Sequence, residues 1–329
     1  MIIDGKKIAE EILMEVSKEV KKLPKQPRLV AVLVGSNPDV EPRDSLEAQP
    51  LSGLRKFLEL KKKAAEKVGI DFRLYEFQAE ITTQKLRKEI VSIAKAGVNQ
   101  GVLIELPLPA HINTQYILNA ILSEKDVDVL SEKSQGSFFA RPEAKLLGVG
   151  RSAILPPAVE AVKIIFEKYG TNPKGKNCVV FGYGLLIGKP ISHWLASQGA
   201  TVSIINEFTP NPAELSHQAD IIISGVGPVR ESRQDSITSI YNKLGPLALS
   251  NGTSPEDRGV ATSNGTSKPI ITADMVKEGA TVIDFGQDVD FETVSKKTGL
   301  ITPHIGGVGP IVIAAVLKNL LSLYKKTLN

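Results

Sequence analysis

The chain has 329 residues, of which 42% are apolar and 23% are charged. This length is about twice a typical domain of ~150 residues, so we expect two packed domains, and the average composition excludes a disordered chain or a coiled coil. The net charge of +4 comes from 40 basic and 36 acidic side chains. The pattern places the lysines on solvated helix faces rather than in one dense basic stripe. We therefore expect no nucleic-acid partner.

The cysteine, the histidines and the lengths of the apolar runs bear on disulfides, metal sites and membrane spans. The only cysteine, Cys178, excludes a disulfide framework and a cysteine-based zinc site. The four histidines have no metal-ligand spacing, so we expect no metal. The N-terminal residues lack a signal-peptide apolar region, and no apolar run approaches the ~20 residues of a bilayer span. We therefore expect a cytoplasmic protein that does not associate with a membrane.

Helices and strands alternate through the first part of the chain. The apolar periodicity predicts helices at about 7–22, 53–68 and 83–96, and strands at 29–34, 72–77 and 101–106. A second series begins after Pro156 and Pro157 with a helix to about 168, followed by strands at 178–181, 201–205, 221–224 and 281–284. Strands that alternate with helices predict α/β domains with parallel sheets and helices on their faces.

Composition also suggests where the domains divide. The polar stretch 131–139 and the glycines Gly148 and Gly150 predict a boundary near 140–150. We therefore predict a first domain at 1–145, completed by an apolar C-terminal helix within 310–329, and a second domain at 146–309. Residues 229–268 contain Ser-Asn-Gly-Thr-Ser twice and read as a long surface excursion.

A glycine-rich turn opens the second series. The strand ending at Phe181 runs into Gly182, Gly184 and Gly188, and a helix follows from about Pro190. Glycines permit a tight turn and a close backbone approach, while a helix N-terminus attracts a pyrophosphate, so this turn favours a dinucleotide. The spacing G-x-G-x-x-x-G departs from the usual G-x-G-x-x-G, and a plain structural turn remains the alternative.

The acid that follows the next strand bears on the choice of dinucleotide. Glu207 lies 25 residues after Gly182, just beyond the strand 201–205. A carboxylate at this strand tip can accept hydrogen bonds from ribose hydroxyls and repels a 2′-phosphate. We therefore expect NAD rather than NADP, with a solvated loop charge as the alternative reading of Glu207.

Several motifs together resemble those of the methylenetetrahydrofolate dehydrogenase/cyclohydrolase family. They are Glu105-Leu106-Pro107-Leu108-Pro109, Lys125-Asp126-Val127-Asp128, Gly182-Tyr183-Gly184 through Gly188-Lys189-Pro190, and Ile301-Thr302-Pro303 with Gly306-Gly307-Val308-Gly309-Pro310. The motifs occur in the family's order and span nearly the whole chain. The resemblance implies two α/β domains with a cleft between them, folate on the first domain and a nicotinamide dinucleotide on a second, Rossmann-type domain.

The resemblance also implies site residues. Counting back from Gly69-Ile70 places Lys61 at the family's catalytic lysine, although Lys61 on its own reads as one of three lysines on a wet helix face. Phe57 stands where the family has tyrosine, and Glu105 stands where it has glutamine. A carboxylate there is expected to pair with Lys61 and stabilise its charged form, which opposes its use as a base in hydrolysis.

Further residues are assigned by the same resemblance. Asp128 is expected to hydrogen-bond the pterin ring, and Val129 beside it replaces a glycine, so we expect the local turn to differ. Substrate-binding residues are Phe57, Pro107, Gly307 and Pro310, and cofactor-binding residues are Gly182, Tyr183, Gly184, Gly188, Glu207 and Gly225. His304 replaces an apolar residue and reads either as a surface histidine or as a substrate contact.

The expected activity is oxidation of 5,10-methylenetetrahydrofolate to methenyltetrahydrofolate by hydride transfer to the nicotinamide, followed where Lys61 is available by hydrolysis to 10-formyltetrahydrofolate. The partners are a tetrahydrofolate substrate and a second copy of the chain in a homodimer. Two alternatives stay open at this stage: a folate- or dinucleotide-binding protein that has lost catalysis, and a Rossmann-type oxidoreductase with another substrate.

Overall fold

The structure, a computed structural model, describes residues 1–35, 49–140, 154–227 and 269–328. The described residues form two compact units, one made of Gly5–Tyr169 with Gly309–Asn329 and the other of Met1–Asp4 with Gly170–Val308. Each unit has a parallel sheet with helices. The predicted α/β class with two parallel-sheet domains is thus confirmed.

The first unit is built on a three-stranded sheet of order β2-β1-β3. Its elements are α1 (Gly5–Val20), β1 (Arg28–Val34), α2 (Gln49–Lys67), β2 (Asp71–Phe77), α3 (Thr83–Lys95), β3 (Gly101–Ile104), α4 (Thr114–Leu118), α5 (Glu132–Phe139) and α6 (Pro157–Tyr169). Strand β1 is central and buried from Leu29 to Val34, which explains its unbroken apolar sequence.

The C-terminal helix (Val308–Leu328) belongs to the first unit from Gly309 onward. Asn319 Nδ2 donates at 2.9 Å to the carbonyl oxygens of Val127 and Leu155, and Lys318 forms an ion pair with the buried Glu160 on α6. Within the described part of the chain, this helix alone is long and apolar enough to cross a membrane, but 67% of its most apolar stretch is buried. Burial of that kind is typical of a core helix.

The second unit has a five-stranded parallel sheet of order β5-β4-β6-β7-β8. Its elements are β4 (Asn177–Phe181), α7 (Gly188–Ser197), β5 (Thr201–Ile205), α8 (Pro212–His217), β6 (Ile221–Ser224), a 3-10 turn (Ala273–Met275), β7 (Thr281–Asp284), α9 (Phe291–Val294) and β8 (Leu300–Ile301). After β4 the chain pairs first on one side, with β5, and then on the other, with β6. Ligands bind at such a topological switch point in open parallel sheets.

Some elements differ from the sequence-based expectation. The stretch 131–139, expected to be a polar boundary, is the helix α5, because the Ser131 side chain caps it by accepting from Ser134 N–H. The predicted boundary at 145/146 and the whole of the predicted excursion 229–268 lie outside the described residues. Contacts among the described residues place α6 with the first unit rather than the second, so the described units divide at Tyr169–Gly170.

Candidate active site and cofactor turn

The first unit brings Lys61 and Glu105 together. Glu105 follows β3, and its N–H donates to Val32 O at 2.9 Å, which continues the pairing with β1. Lys61 lies on α2, and its Nζ is 2.5 Å from Glu105 Oε1. The two residues are only 8% and 6% exposed. The reading of Lys61 as part of a wet helix face is therefore wrong, whereas its neighbours Lys62 and Lys63 are exposed.

Phe57 lies one helical turn before Lys61 on α2. The Lys61 ammonium is 5.3 Å from the centroid of the Phe57 ring, within the range of a cation–π contact. The backbone of Gly309 lies beside the same ring. Phe57 is 36% exposed, so part of this large apolar side chain is open to a flat ligand. The phenyl ring lacks the hydroxyl of the family's tyrosine and offers no hydrogen bond there.

Asp128 lies in a turn that is stabilised by hydrogen bonds to the buried carboxylate of Asp126. Asp126 forms an isolated parallel bridge with Val102 of β3. Its carboxylate accepts from Leu130 N at 3.2 Å, from Ser131 N at 2.8 Å and from Ser131 Oγ at 2.7 Å. Asp126 thus stabilises the turn. The sequence pattern did not predict this role, and the only local indication of it is that Asp126 lies two residues before Asp128.

Val129, directly after Asp128, has a φ of 60°. This is the left-handed region, which glycine favours and a β-branched residue rarely adopts. The expected change of turn is therefore not seen at Val129, since the valine takes a backbone conformation that suits glycine. Such a conformation costs about 1–3 kcal/mol and persists only where surrounding contacts hold it.

The Asp128 carboxyl has an altered acidity. Desolvation by burial raises its pKa to about 7; the Lys61 ammonium opposes this shift, and the carboxylates of Glu105 and Asp126 increase it. Near neutral pH the group can exchange between a protonated form that donates and an ionised form that only accepts. A side chain whose pKa lies near the working pH is suited to proton transfer and to pH-dependent binding.

The other residues assigned to substrate binding lie in different surroundings. Pro107 follows a cis peptide bond after Leu106 and is exposed, and Pro310 lies in the first turn of the C-terminal helix. Gly307 has a structural reason of its own, because a Cβ there would lie 2.2 Å from Pro303 O. Contact between these residues and a substrate stays a prediction.

The glycine turn after β4 has the properties that a dinucleotide needs. Gly182 has a φ of 86°, and a Cβ on Gly188 would lie 2.1 Å from Gly182 O, so the turn requires glycine at both positions. Around Gly184, by contrast, there is open space where a Cβ would be. No side chain caps α7 at Ile187, which leaves the positive end of the helix dipole available to phosphate oxygens. These residues fit a pyrophosphate.

Gly225 follows β6, the strand beside β4. A Cβ on Gly225 would lie 2.5 Å from Ile187 Cγ2, and a Cβ on Gly182 would lie 3.4 Å from Gly225 O. The loop after β6 therefore packs directly against the glycine turn. The absence of side chains at both glycines permits this close approach.

Two exposed side chains lie near the glycine turn: Tyr183 is within it, and Glu207 follows the neighbouring strand β5. Glu207 lies two residues after β5, whose last carbonyl, Ile205 O, accepts from Gly182 N at 2.8 Å. Tyr183 is 50% exposed, and Lys189 Nζ lies 5.6 Å from the centroid of its ring. Lys189 was not assigned to the site, although its place in Gly188-Lys189-Pro190 brings a cation to the first turn of α7.

A further buried carboxylate, Asp284, is the last residue of β7. Asp284 accepts from the backbone N–H groups of Gly286, Asp288 and Val289, and desolvation by burial raises its pKa. The His304 ring nitrogen Nε2 is 2.9 Å from Val289 O and 3.6 Å from Asp284 Oδ2. His304 thus contacts the chain itself, and a contact with substrate stays a prediction.

Comparison with known proteins decides the family. The catalytic-domain model of tetrahydrofolate dehydrogenase/cyclohydrolase matches residues 3–128, and the model of its NAD(P)-binding domain matches residues 156–240 and 260–328. The chain belongs to the tetrahydrofolate dehydrogenase/cyclohydrolase family. The resemblance carried by the sequence motifs is confirmed.

Individual members of the tetrahydrofolate dehydrogenase/cyclohydrolase family match over their full length. The bifunctional protein FolD of Moorella thermoacetica is 34% identical over 331 residues, covering 97% of this chain and 96% of the relative. FolD of Hydrogenobaculum sp. is 31% identical, covering 99% of each chain. The crystal structure of the FolD methylenetetrahydrofolate dehydrogenase/cyclohydrolase from Campylobacter jejuni has a TM-score of 0.77 at 29% identity, again covering 99% of each chain.

Proposed function

We propose that this protein oxidises 5,10-methylenetetrahydrofolate to methenyltetrahydrofolate with a nicotinamide dinucleotide as hydride acceptor, and that it hydrolyses the product slowly. The observation that carries the proposal is the buried Lys61 with Phe57 and Glu105 around it, and the motif resemblance assigns this residue to the family's lysine. Family membership over both domains supports the pairing of a folate site with a dinucleotide site.

The side chains have limited tasks in the oxidation. A nicotinamide dinucleotide at the glycine turn would supply the hydride acceptor for the methylene carbon of the folate, and the protein's own contribution is to hold and orient the reactants. Phe57 offers an apolar surface for the pterin, and ionised Asp128 accepts from pterin N–H groups. The open glycine turn at Gly182, Gly184 and Gly188 holds the pyrophosphate, with the N-terminus of α7 supplying positive potential.

Hydrolysis makes a further demand on Lys61. Water adds to the methenyl carbon, a base takes its proton, and one carbon–nitrogen bond breaks to leave the formyl group on the folate. Lys61 Nζ lies 2.5 Å from Glu105 Oε1, so the lysine is directed at a carboxylate rather than at the attacking water. The pair therefore favours oxidation without rapid hydrolysis, which distinguishes this chain from the pattern of a neutral glutamine beside the lysine.

Cofactor preference is the second part of the proposal. Glu207 follows β5 and is exposed, and a carboxylate there repels a 2′-phosphate. We infer that NAD is used better than NADP. Lys189 beside Tyr183 lies in the first turn of α7 and is assigned to the pyrophosphate, which both cofactors share.

A homodimer is proposed as the assembly. The edge strand β2 exposes Leu74 and Tyr75, each about two-fifths accessible. Apolar side chains on an exposed edge strand favour contact with another chain. Light scattering of the purified protein measures the molar mass directly. A mass of one chain at micromolar concentration contradicts the dimer without affecting the proposed chemistry.

The activity is tested by supplying 5,10-methylenetetrahydrofolate with NAD or NADP and following reduced nicotinamide. We expect folate-dependent reduction by the wild type, a strong loss in Gly184→Ala, and little change in Gly97→Ala. Both glycines have open space where a Cβ would be, so the added methyl group should be tolerated by the fold in each variant. Only Gly184 lies on the turn proposed to hold the cofactor. A wild type that binds folate or dinucleotide without turnover supports the non-catalytic alternative instead.

A further inference from the structure

A buried carboxylate links two loops at the carboxyl ends of β6 and β7. Asp288 is only 3% exposed. Its Oδ2 accepts from Ser224 Oγ at 2.5 Å, from Val226 N at 2.9 Å and from Gly227 N at 3.4 Å. One oxygen of one side chain thus fixes the end of β6 and two consecutive amides of the loop that follows it.

The chain makes room for this contact at Gly286. A Cβ on Gly286 would lie 2.2 Å from Asp288 Oδ2 and 2.6 Å from Gly227 N. No side chain other than hydrogen can therefore occupy this position while Asp288 reaches the loop. Asp284 holds the same segment from the other end, by accepting from the N–H groups of Gly286 and Asp288.

The opposite side of the loop meets the glycine turn. Gly225 packs against Ile187, the residue immediately before α7, and Gly225 O lies close to Gly182. The backbone of Gly225–Gly227 thus lies between Asp288 on one side and the glycine turn on the other. A change in the path of Gly225–Gly227 has to alter the surface that Gly182 and Ile187 present, because the approach between these backbones leaves no spare space.

We propose that Asp288 is a positioning residue for the dinucleotide, which holds the Gly225–Gly227 loop against the glycine turn without contacting the ligand itself. This inference rests on the proposed function, since it assumes that the turn binds NAD or NADP. The carboxylate's charge makes it a stronger acceptor than an amide oxygen, so three donors are held at one point. Removing it frees the amides of Val226 and Gly227 to leave their arrangement.

The test compares Asp288→Ala and Asp288→Asn with the matched control Asp290→Ala. Asp290 lies two residues further on and caps α9 by accepting from Thr293 N–H, so its loss damages the same segment without touching the loop after β6. NADH and NADPH binding is titrated by fluorescence. The Michaelis constants for NAD and for the folate are measured separately, and amide hydrogen exchange at residues 225–227 is followed in the ligand-free protein.

We expect Asp288→Ala to weaken NADH binding by at least roughly tenfold, because small misplacements of binding groups cost up to about 10²-fold. Exchange at Val226 and Gly227 accelerates, while the Michaelis constant for the folate stays near the wild-type value. Asp288→Asn lies between the two, since its amide oxygen still accepts, and it decides the question where Asp288→Ala does not fold. Asp290→Ala changes neither NADH binding nor exchange at 225–227.

The outcomes separate the two proposals. A wild type that binds NADH while both Asp288 variants bind it equally well, with unchanged exchange at 225–227, overturns the role of Asp288 alone. Equal weakening in Asp290→Ala and Asp288→Ala also overturns it, because the effect is then general damage to the segment. A wild type that binds neither NADH nor NADPH overturns the proposed function, and the positioning role with it.

Discussion

Lys61 Nζ lies 2.5 Å from Glu105 Oε1, and both residues are more than nine-tenths buried. Two charges removed from water in this way depend on each other, because attraction across the pair offsets the cost of desolvating each partner. The lysine that the motif resemblance assigns to catalysis is therefore held in a buried ion pair.

Glu105→Gln is expected to raise cyclohydrolase activity. The neutral amide removes the ion pair that directs Lys61 at residue 105, which frees the lysine to contact the attacking water. A group positioned for proton transfer contributes 10²–10⁴-fold, so a gain of roughly tenfold or more is expected. Disappearance of methenyltetrahydrofolate is the measurement. Glu160→Gln is the matched control, since Glu160 is equally buried and pairs with Lys318 on the C-terminal helix. Equal hydrolysis in wild type and Glu105→Gln shows that Glu105 does not limit this step.

Lys61→Met is expected to destabilise the first unit by about 3–5 kcal/mol, because it leaves the buried Glu105 carboxylate without its partner. The double variant Lys61→Met with Glu105→Gln removes both charges and should recover much of that loss. Urea unfolding of each variant measures the difference. Lys62→Met, at the exposed neighbouring position, controls for the substitution itself. A single variant as stable as the wild type contradicts the buried pair.

Asp128 is expected to make activity pH-dependent near neutrality. With its pKa raised to about 7, the carboxyl ionises as the pH rises through that value and then accepts from pterin N–H groups. We therefore predict that kcat/KM for the folate increases with an apparent pKa of about 7, and that Asp128→Asn lowers kcat/KM and removes this step. A profile that is flat in the wild type between pH 5 and 9 argues against ionised Asp128 as the binding form.

The same carboxyl links stability to pH. The folded-state pKa of Asp128 lies above its unfolded value, so the folded chain binds an extra proton between the ordinary aspartate pKa and about 7, and stability falls as the pH rises through this window. Asp128→Asn lacks the unfavourable charge. We expect its Tm to exceed that of the wild type at pH 8 by at least about 2 °C, which corresponds to ~1 kcal/mol in a domain of 150–250 residues. At pH 4 the two proteins should be nearly alike.

Glu207→Ser combined with Tyr183→Arg is expected to narrow or reverse the preference for NAD over NADP. The change removes a carboxylate and adds a guanidinium near the ribose, and a like-charge contact costs ~1 kcal/mol or more in a partly screened site. The ratio of kcat/KM for the two cofactors is the readout. Glu214→Ser removes an exposed charge from α8 in the same unit and should leave that ratio unchanged. A wild type that prefers NADP contradicts the role of Glu207.

The sequence predicted the sheet strands well where burial on both faces makes a strand continuously apolar, as in 29–34 and 178–181. It missed β8, because two residues, Leu300 and Ile301, show no periodicity. It also missed α5, whose polar residues resemble a linker until the Ser131 cap is seen. Short elements are held by contacts that a local pattern does not contain.

Some residues of the candidate site could be predicted from the sequence and others could not. The glycine turn follows from local rules, because a strand, glycines and a helix occur in one short stretch. Lys61 came only from the family resemblance, since Lys61, Lys62 and Lys63 look alike until α2 is placed against β3. Asp288 lies 64 residues from Ser224 along the chain, and no local pattern connects them. The acidity of Asp128 depends on charges from α2 and from the residue after β3, which only the fold brings together.

The most direct test of the account is one progress curve, in which wild-type protein receives 5,10-methylenetetrahydrofolate and NAD while reduced nicotinamide and methenyltetrahydrofolate are followed together. The account predicts that methenyltetrahydrofolate accumulates in step with reduced nicotinamide, because oxidation proceeds while Glu105 holds Lys61 away from hydrolysis. Reduced nicotinamide without accumulation of the methenyl product would mean that hydrolysis keeps pace, and it would contradict the role given to the Lys61–Glu105 pair. No reduced nicotinamide with either NAD or NADP would contradict the dehydrogenase itself.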